Sequence, residues 1–181
     1  VFERFNTLWV VTDSAAAAAL QPDITGPLAG ILGKPKLLKF TGGVAWRYVL
    51  PEGNFIDVQK KNLTWKIQIS STAPARHDSP PQFTVTKDED TGKAKLMTEI
   101  PGVDSVLTFE DPLAGDTLYV IPVNQENIRY TQGRRFPNVE ILSADIGLVV
   151  RPIEDNMKVS RFGTYVMISS PQGVIATPGT T

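Results

Sequence analysis

The sequence predicts a mainly β protein built from two sequence-related β-sandwich-like modules, the first with one or two short helices. Three observations predict this. A strand pattern recurs in the same order: Thr7-Leu8-Trp9-Val10-Val11 with Thr117-Leu118-Tyr119-Val120-Ile121, Val44 to Val49 with Ile146 to Arg151, and Val58 to Ile67 with Val159 to Ile168. The spacing drifts only from 110 to 102 to 101 residues, as expected of a repeated unit. Apolar residues alternate with polar ones in several stretches, the period of a half-buried strand. Gly and Pro each number 14, a density that interrupts helices and suits short strands joined by turns. The modules are assigned to residues 1–70 and 82–181, with a linker at 71–81.

The elements follow in order. Phe5 to Val11 reads as the first strand, apolar on both faces at its centre. Asp13-Ser14 offers an N-cap to Ala15–Leu20, the strongest local helix former in the chain. Leu28 to Leu32 forms a second short helix that Gly33 ends. Lys36 to Leu50 makes two strands around Thr41-Gly42-Gly43, with Val44, Trp46, Tyr48 and Leu50 on one face. Phe55 to Lys60 and Leu63 to Ser70 form a hairpin around Lys61-Asn62. Its second strand alternates Leu63, Trp65, Ile67 and Ile69 with Thr64, Lys66, Gln68 and Ser70. Ser71 to Pro81 has three prolines and no apolar anchor, which defines the linker. Gln82 to Lys87 and Lys93 to Glu99 flank a hairpin loop, and Val103 to Phe109 is a further strand. After the second Thr-Leu-aromatic strand, Asn124 to Asn138 is a polar, arginine-bearing connection. Strands at Val139–Leu142, Ile146–Arg151, Met157–Ser160 and Tyr165–Ser169 complete the module, and Gln172 to Thr181 reads as a fraying tail.

Composition excludes several functions. Over 181 residues, 18 basic and 19 acidic side chains leave a net charge of −1, which gives no long-range attraction to nucleic acid or an anionic membrane. The absence of cysteine removes thiol catalysis, disulfides and cysteine-ligated zinc. The single histidine, His77, falls in the linker, so neither a catalytic triad nor a histidine-based metal site is expected. No apolar run approaches the roughly 18 residues of a membrane-spanning helix. A start at Val1 rather than Met points to an excised fragment or a processed product.

Few residues suggest chemistry. Asp57, Glu99, Glu140 and Asp145 lie in or beside strands and are the candidates for a carboxylate-dependent hydrolase. Asp88-Glu89-Asp90, and Glu110-Asp111 with Asp116, lack the ligand spacing of a calcium loop and are explained by turn chemistry. No glycine-rich phosphate cradle is present. No catalytic residue, cofactor or metal is therefore assigned. Arg129, Tyr130, Arg134 and Arg135 form the one local basic cluster, a candidate surface for an acidic partner against the alternative of a solvated loop. Trp9, Trp46 and Trp65 would make a carbohydrate platform if exposed, but alternation assigns Trp46 and Trp65 to apolar faces.

The segments Asn6 to Asp13, Lys39 to Pro51 and Leu63 to Ile69 resemble the AMIN-type modules of bacterial envelope proteins. Those are small β-rich domains of periplasmic amidases, secretins and related machines. The resemblance implies a periplasmic or cell-envelope location and engagement of peptidoglycan or an envelope protein partner. The expected role is a non-enzymatic binding or structural module of a larger protein, acting through its surfaces and exposed strand edges. A carbohydrate-binding module using exposed aromatics is the alternative, and a carboxylate hydrolase follows it.

Overall fold

A computed structural model of the chain describes residues 1–13, 21–62, 64–75 and 80–175. The helix expected at Ala15–Leu20, the centre of the linker with His77, and the end of the tail lie outside the described residues. The fold is mainly β. The first half contains β1 (Phe2–Arg4), β2 (Thr7–Thr12), β3 (Ile24–Thr25), β4 (Lys36–Phe40), β5 (Gly43–Val49), β6 (Phe55–Lys61) and β7 (Thr64–Ser70). The second contains β8 (Phe83–Lys87), β9 (Ala94–Glu99), β10 (Leu107–Glu110), β11 (Thr117–Ile121), β12 (Arg134–Arg135), β13 (Val139–Leu142), β14 (Leu148–Pro152), β15 (Lys158–Phe162) and β16 (Tyr165–Ser169). The second expected helix is a four-residue 3-10 turn, Ala29–Leu32, ended by Gly33 at φ 64°.

The strands form four sheets: β1-β2-β5-β4 and β3-β7-β6 from the first half, β10-β11-β14-β13-β12 and β15-β16-β9-β8 from the second. Within each half the two sheets enclose an apolar core in a sandwich-like arrangement. Leu8, Val10, Val44, Trp46 and Tyr48 meet Ile56, Val58, Ile67 and Ile69 in the first. Ile121, Leu148, Val150 and Ile141 meet Leu96, Val159, Val166 and Ile168 in the second. A third core lies between the halves. There the outer faces of β1-β2-β5-β4 and β10-β11-β14 bury Phe2, Trp9, Ala45, Leu118, Val120 and Val149. Its centre is an aromatic stack in which Trp9 lies between Phe2 (centroids 5.6 Å apart) and Phe109 (5.5 Å), with Phe40 against Phe109 at 4.7 Å. Strands buried on both faces need apolar residues at successive positions, which is why β2 and β5 depart from strict alternation.

The strand pattern noted in the sequence can be compared face by face. Val58 pairs with Ile67 in β6–β7, and Val159 pairs with Ile168 in β15–β16. These hairpins keep one register at a spacing of 101 residues, and their loops place Asn62 (φ 58°) and Gly163 (φ 60°) at the same step. Trp46 and Tyr48 face the core of the first half, and Leu148 and Val150 face that of the second. The first pair is slipped by one residue. Leu8 and Val10 face the first core, whereas Leu118 and Val120 face the interface between halves. Thus the sequence match Leu8 with Leu118 equates opposite faces of a strand.

Four local expectations are corrected. Phe5 to Val11 is not one strand: Phe5 and Asn6, at φ 50° and 54°, form the turn of the β1–β2 hairpin. Ile24–Thr25 adds a short parallel strand to β7. Residues 103–106 carry no strand, so β10 is shorter than expected. The tail is anchored as far as Ile175, because Val174 is buried, its N–H reaches Ala94 O at 2.8 Å, and Asn138 bonds both Gly173 O and Ile175 N.

The loop between β8 and β9 gives Asp88, the first residue of one acidic run, a structural role. Asp88 Oδ1 accepts from the N–H groups of Asp90 and Thr91, and its other oxygen meets the Lys95 ammonium. These bonds, that from Lys95 first, lower its pKa to about 2. A carboxyl-detected NMR titration is expected to place the Asp88 midpoint well below that of an ordinary aspartate, and Lys95→Met should raise it. A midpoint insensitive to Lys95→Met would refute this account.

Candidate functional site

Among the described residues, three hollows and one divided basic cluster are candidates for binding or chemistry. The cluster spans the connection from β11 to β13. Arg129 turns inward: Nε donates to Glu126 O (2.8 Å), Nη2 donates to Val58 O on β6 (2.6 Å), and Asp57 lies 3.7 Å from Nη1. The side chain is buried and ties the second half to the first. Nearby, Lys60 Nζ donates to both oxygens of Asn124, and the Lys60 N–H to Glu126. Tyr130 is also buried. Its backbone bridges to Ala144, and its ring meets Phe83 edge-on with centroids 5.8 Å apart. Burial raises the Tyr130 phenol pKa, and the adjacent Arg134 pulls it the other way. Arg134 is half-buried with its guanidinium 4.7 Å from the Phe136 ring centroid, while Arg135 is exposed on the edge strand β12. The structure therefore brings Tyr130 and Arg134 together, leaves Arg135 beside them at the surface, and assigns Arg129 to an internal strut.

Tyr130 and Arg134 line a hollow of about 450 Å³ closed on the other side by Pro80, Pro81 and Phe83. Sequence reasoning grouped the arginines but missed Phe83 at the start of β8 and the two prolines that end the linker.

A second hollow of about 400 Å³ holds two carboxylates, Glu3 and Asp145, beside Phe55 and Pro74. Glu3 was not a sequence candidate; nothing in the primary structure links the first strand to a loop so far downstream. Its pKa is raised, first by burial and then by the charge of Asp145. The other candidate carboxylates are dispersed. Glu140 receives Arg151 at 2.5 and 2.8 Å, Asp57 receives Gln59 and faces Arg129, and Glu99 accepts from Thr164. Among the described residues no group of three or more His, Cys, Asp or Glu gathers around a common point.

The third hollow, about 610 Å³, lies between the halves and is lined by Trp46, Trp65, Val10, Ile67 and Val120, with Asp13, Asp23 and Asp104 also contributing. Trp9 and Trp46 are 0% and 3% exposed, which makes them core residues. Trp65 is half-buried with the Lys60 ammonium over its ring.

Comparison with family models, with curated proteins and with solved structures gives no match to this chain. Among the described residues no helix is long and apolar enough to cross a membrane.

Proposed function

We propose that this chain is a non-enzymatic binding or structural module of a larger bacterial cell-envelope protein, periplasmic or envelope-associated, that engages a protein partner or peptidoglycan. The observation that carries the reading is a pair of sandwich-like halves joined through a third core, whose sheets end in edge strands such as β4, β8 and β15 that have no second partner strand among the described residues. An unpaired edge presents backbone donors and acceptors in a row, ready for a partner strand. Asp57, Glu99 and Glu140 are dispersed into separate contacts, which favours binding, while Asp145 shares a hollow with Glu3 and is the candidate that the hydrolase alternative retains. Similar sheet orders in the two halves support a copied unit, and the likeness to AMIN-type modules supports the envelope setting.

The test combines co-sedimentation with purified peptidoglycan and a pull-down from envelope extract using the purified chain. Enrichment of the polymer or of a reproducible envelope protein is expected; enrichment of neither would reject the reading. Tryptophan quenching separates it from the carbohydrate alternative. Acrylamide should reach Trp65 alone of the three tryptophans, and full quenching of the native protein would favour a carbohydrate platform.

A further inference from the structure

We propose that Arg47 and Lys36, on the outer face of β5 and β4, form a binding site for a carboxylate: the acidic side chain of a partner protein, seated beside an apolar one. The inference rests on the protein-partner arm of the binding-module reading and names a contact point for it.

Arg47 is half-buried on β5, and its guanidinium lies 5.4 Å from the ring centroid of Trp9, its cross-strand partner. Trp9 is itself held between Phe2 and Phe109, so the arginine rests on a fixed plate. Arg47 Nε is buried and has no acceptor among the described residues. The other enclosed arginines differ: Arg4 donates to Asp111 and Asp116, Arg151 to Glu140, and Arg129 to Val58 O and Glu126 O. A partly desolvated guanidinium without an oxygen acceptor is unfavourable. Its stacking on Trp9 also removes rotamer freedom that an incoming anion would otherwise have to freeze. Nε alone of this guanidinium is a buried orphan, which leaves the two Nη groups reachable from solvent.

Lys36 stands opposite Arg47 in the β4–β5 register, so the two cations share the outer face. Like charges at opposed positions repel, and neither of these has an ion pair among the described residues. The chain is described without a break from residue 21 to residue 62, so both strands and the loops that flank them are in place. A carboxylate set between the two side chains removes their repulsion and fills the planar fork of Arg47. An apolar contact adjoins the site. Val49 lies two residues along β5 on the same face, roughly 7 Å away, and is 67% exposed. Asn6 O accepts from the Leu50 N–H, which brings the β1–β2 turn, with its exposed Phe5, beside Val49. Cationic fork and uncovered apolar side chains together complement an acidic residue flanked by an apolar one.

The test uses the whole chain, ¹⁵N-labelled, and the peptide acetyl-Val-Asp-Val-amide. Saturable shifts are expected at the Lys36, Arg47 and Val49 amides and at the Arg47 Nε–H. Acetyl-Val-Asn-Val-amide, which keeps the shape and loses the charge, should bind at least about tenfold more weakly. Arg47→Lys should weaken binding of the acidic peptide by about tenfold as well, because lysine keeps the charge but not the fork. Lys36→Met, at an exposed position, should weaken it about threefold, with the remaining amide spectrum unchanged as the control for folding. Absence of saturable shifts at these positions, equal binding of the asparagine peptide, binding unaltered by Arg47→Lys or Lys36→Met, or tighter binding of inorganic phosphate than of the acidic peptide would overturn the proposal. If the peptide fails while an envelope protein is still captured, this site is excluded and the binding-module reading stands. If the peptide binds while neither peptidoglycan nor an envelope protein is captured, the site stands and the envelope reading falls.

Discussion

Trp9→Ala is expected to destabilise the chain by about 3–5 kcal/mol, the range for deleting a large buried aromatic side chain. Trp9 is fully buried, stacks between Phe2 and Phe109, and lies under the Arg47 guanidinium at 5.4 Å. Because these partners come from both halves, the substitution hollows the core that joins them. Its indole N–H is buried and has no hydrogen-bond partner among the described residues. Trp9→Phe removes that unsatisfied donor while keeping an aromatic ring, so its cost should stay below about 1.5 kcal/mol. Urea unfolding followed by circular dichroism reads both. Equal midpoints for Trp9→Ala and the wild type would mean that the stack contributes nothing to holding the halves together.

The clarity of the sequence varied with the range of the interactions concerned. The β6–β7 hairpin was readable because one buried face imposes a period of two, and Asn62 supplies a residue tolerant of positive φ at its turn. The β1–β2 turn was hidden because Phe5 continues an apolar run while adopting a conformation uncommon for a bulky side chain. Ile24–Thr25 is too short for any period to register. The interface between halves has its sequence signal in β2. Apolar residues on both faces of β2 mean that each face packs on something, and the second face packs on the other half.

The candidate sites were less legible because they are assembled by long-range contacts. Arg129 looked like its neighbours Arg134 and Arg135, but its acceptor, Val58 O, is 71 residues away. The hollow at Tyr130 needs Phe83, and the carboxylate pair needs Glu3 and Asp145 from distant parts of the chain. Composition could say which side chains exist, while the sheet order decides which of them meet.

Arg4→Met is expected to cost about 3–5 kcal/mol at neutral pH, the penalty for leaving a buried charge without its partner. Arg4 Nη1 donates to Asp111 Oδ2 at 2.5 Å and to Asp116 Oδ1 at 2.7 Å, and Nη2 donates to Asp116 Oδ2 at 2.5 Å. The Asp111 side chain is only 1% exposed, so water cannot replace the guanidinium. Combining Arg4→Met with Asp111→Leu should recover much of the loss, since the stranded charge is then gone. The pH dependence follows from Asp116. Hydrogen bonds from Arg4 lower its pKa against the opposing effect of burial, with the charges of Arg4 and Arg151 adding to the shift. A carboxyl with a lower pKa in the folded state than in the unfolded one stabilises the fold above the unfolded value of about 4, and that contribution fades as pH falls through the folded value. The wild type should therefore lose stability on acidification faster than Arg4→Met, and the gap between their urea midpoints should narrow from pH 7 to pH 3. A gap that stays constant across that range would show that Arg4 contributes through packing of its aliphatic stem rather than through its bonds to the two aspartates.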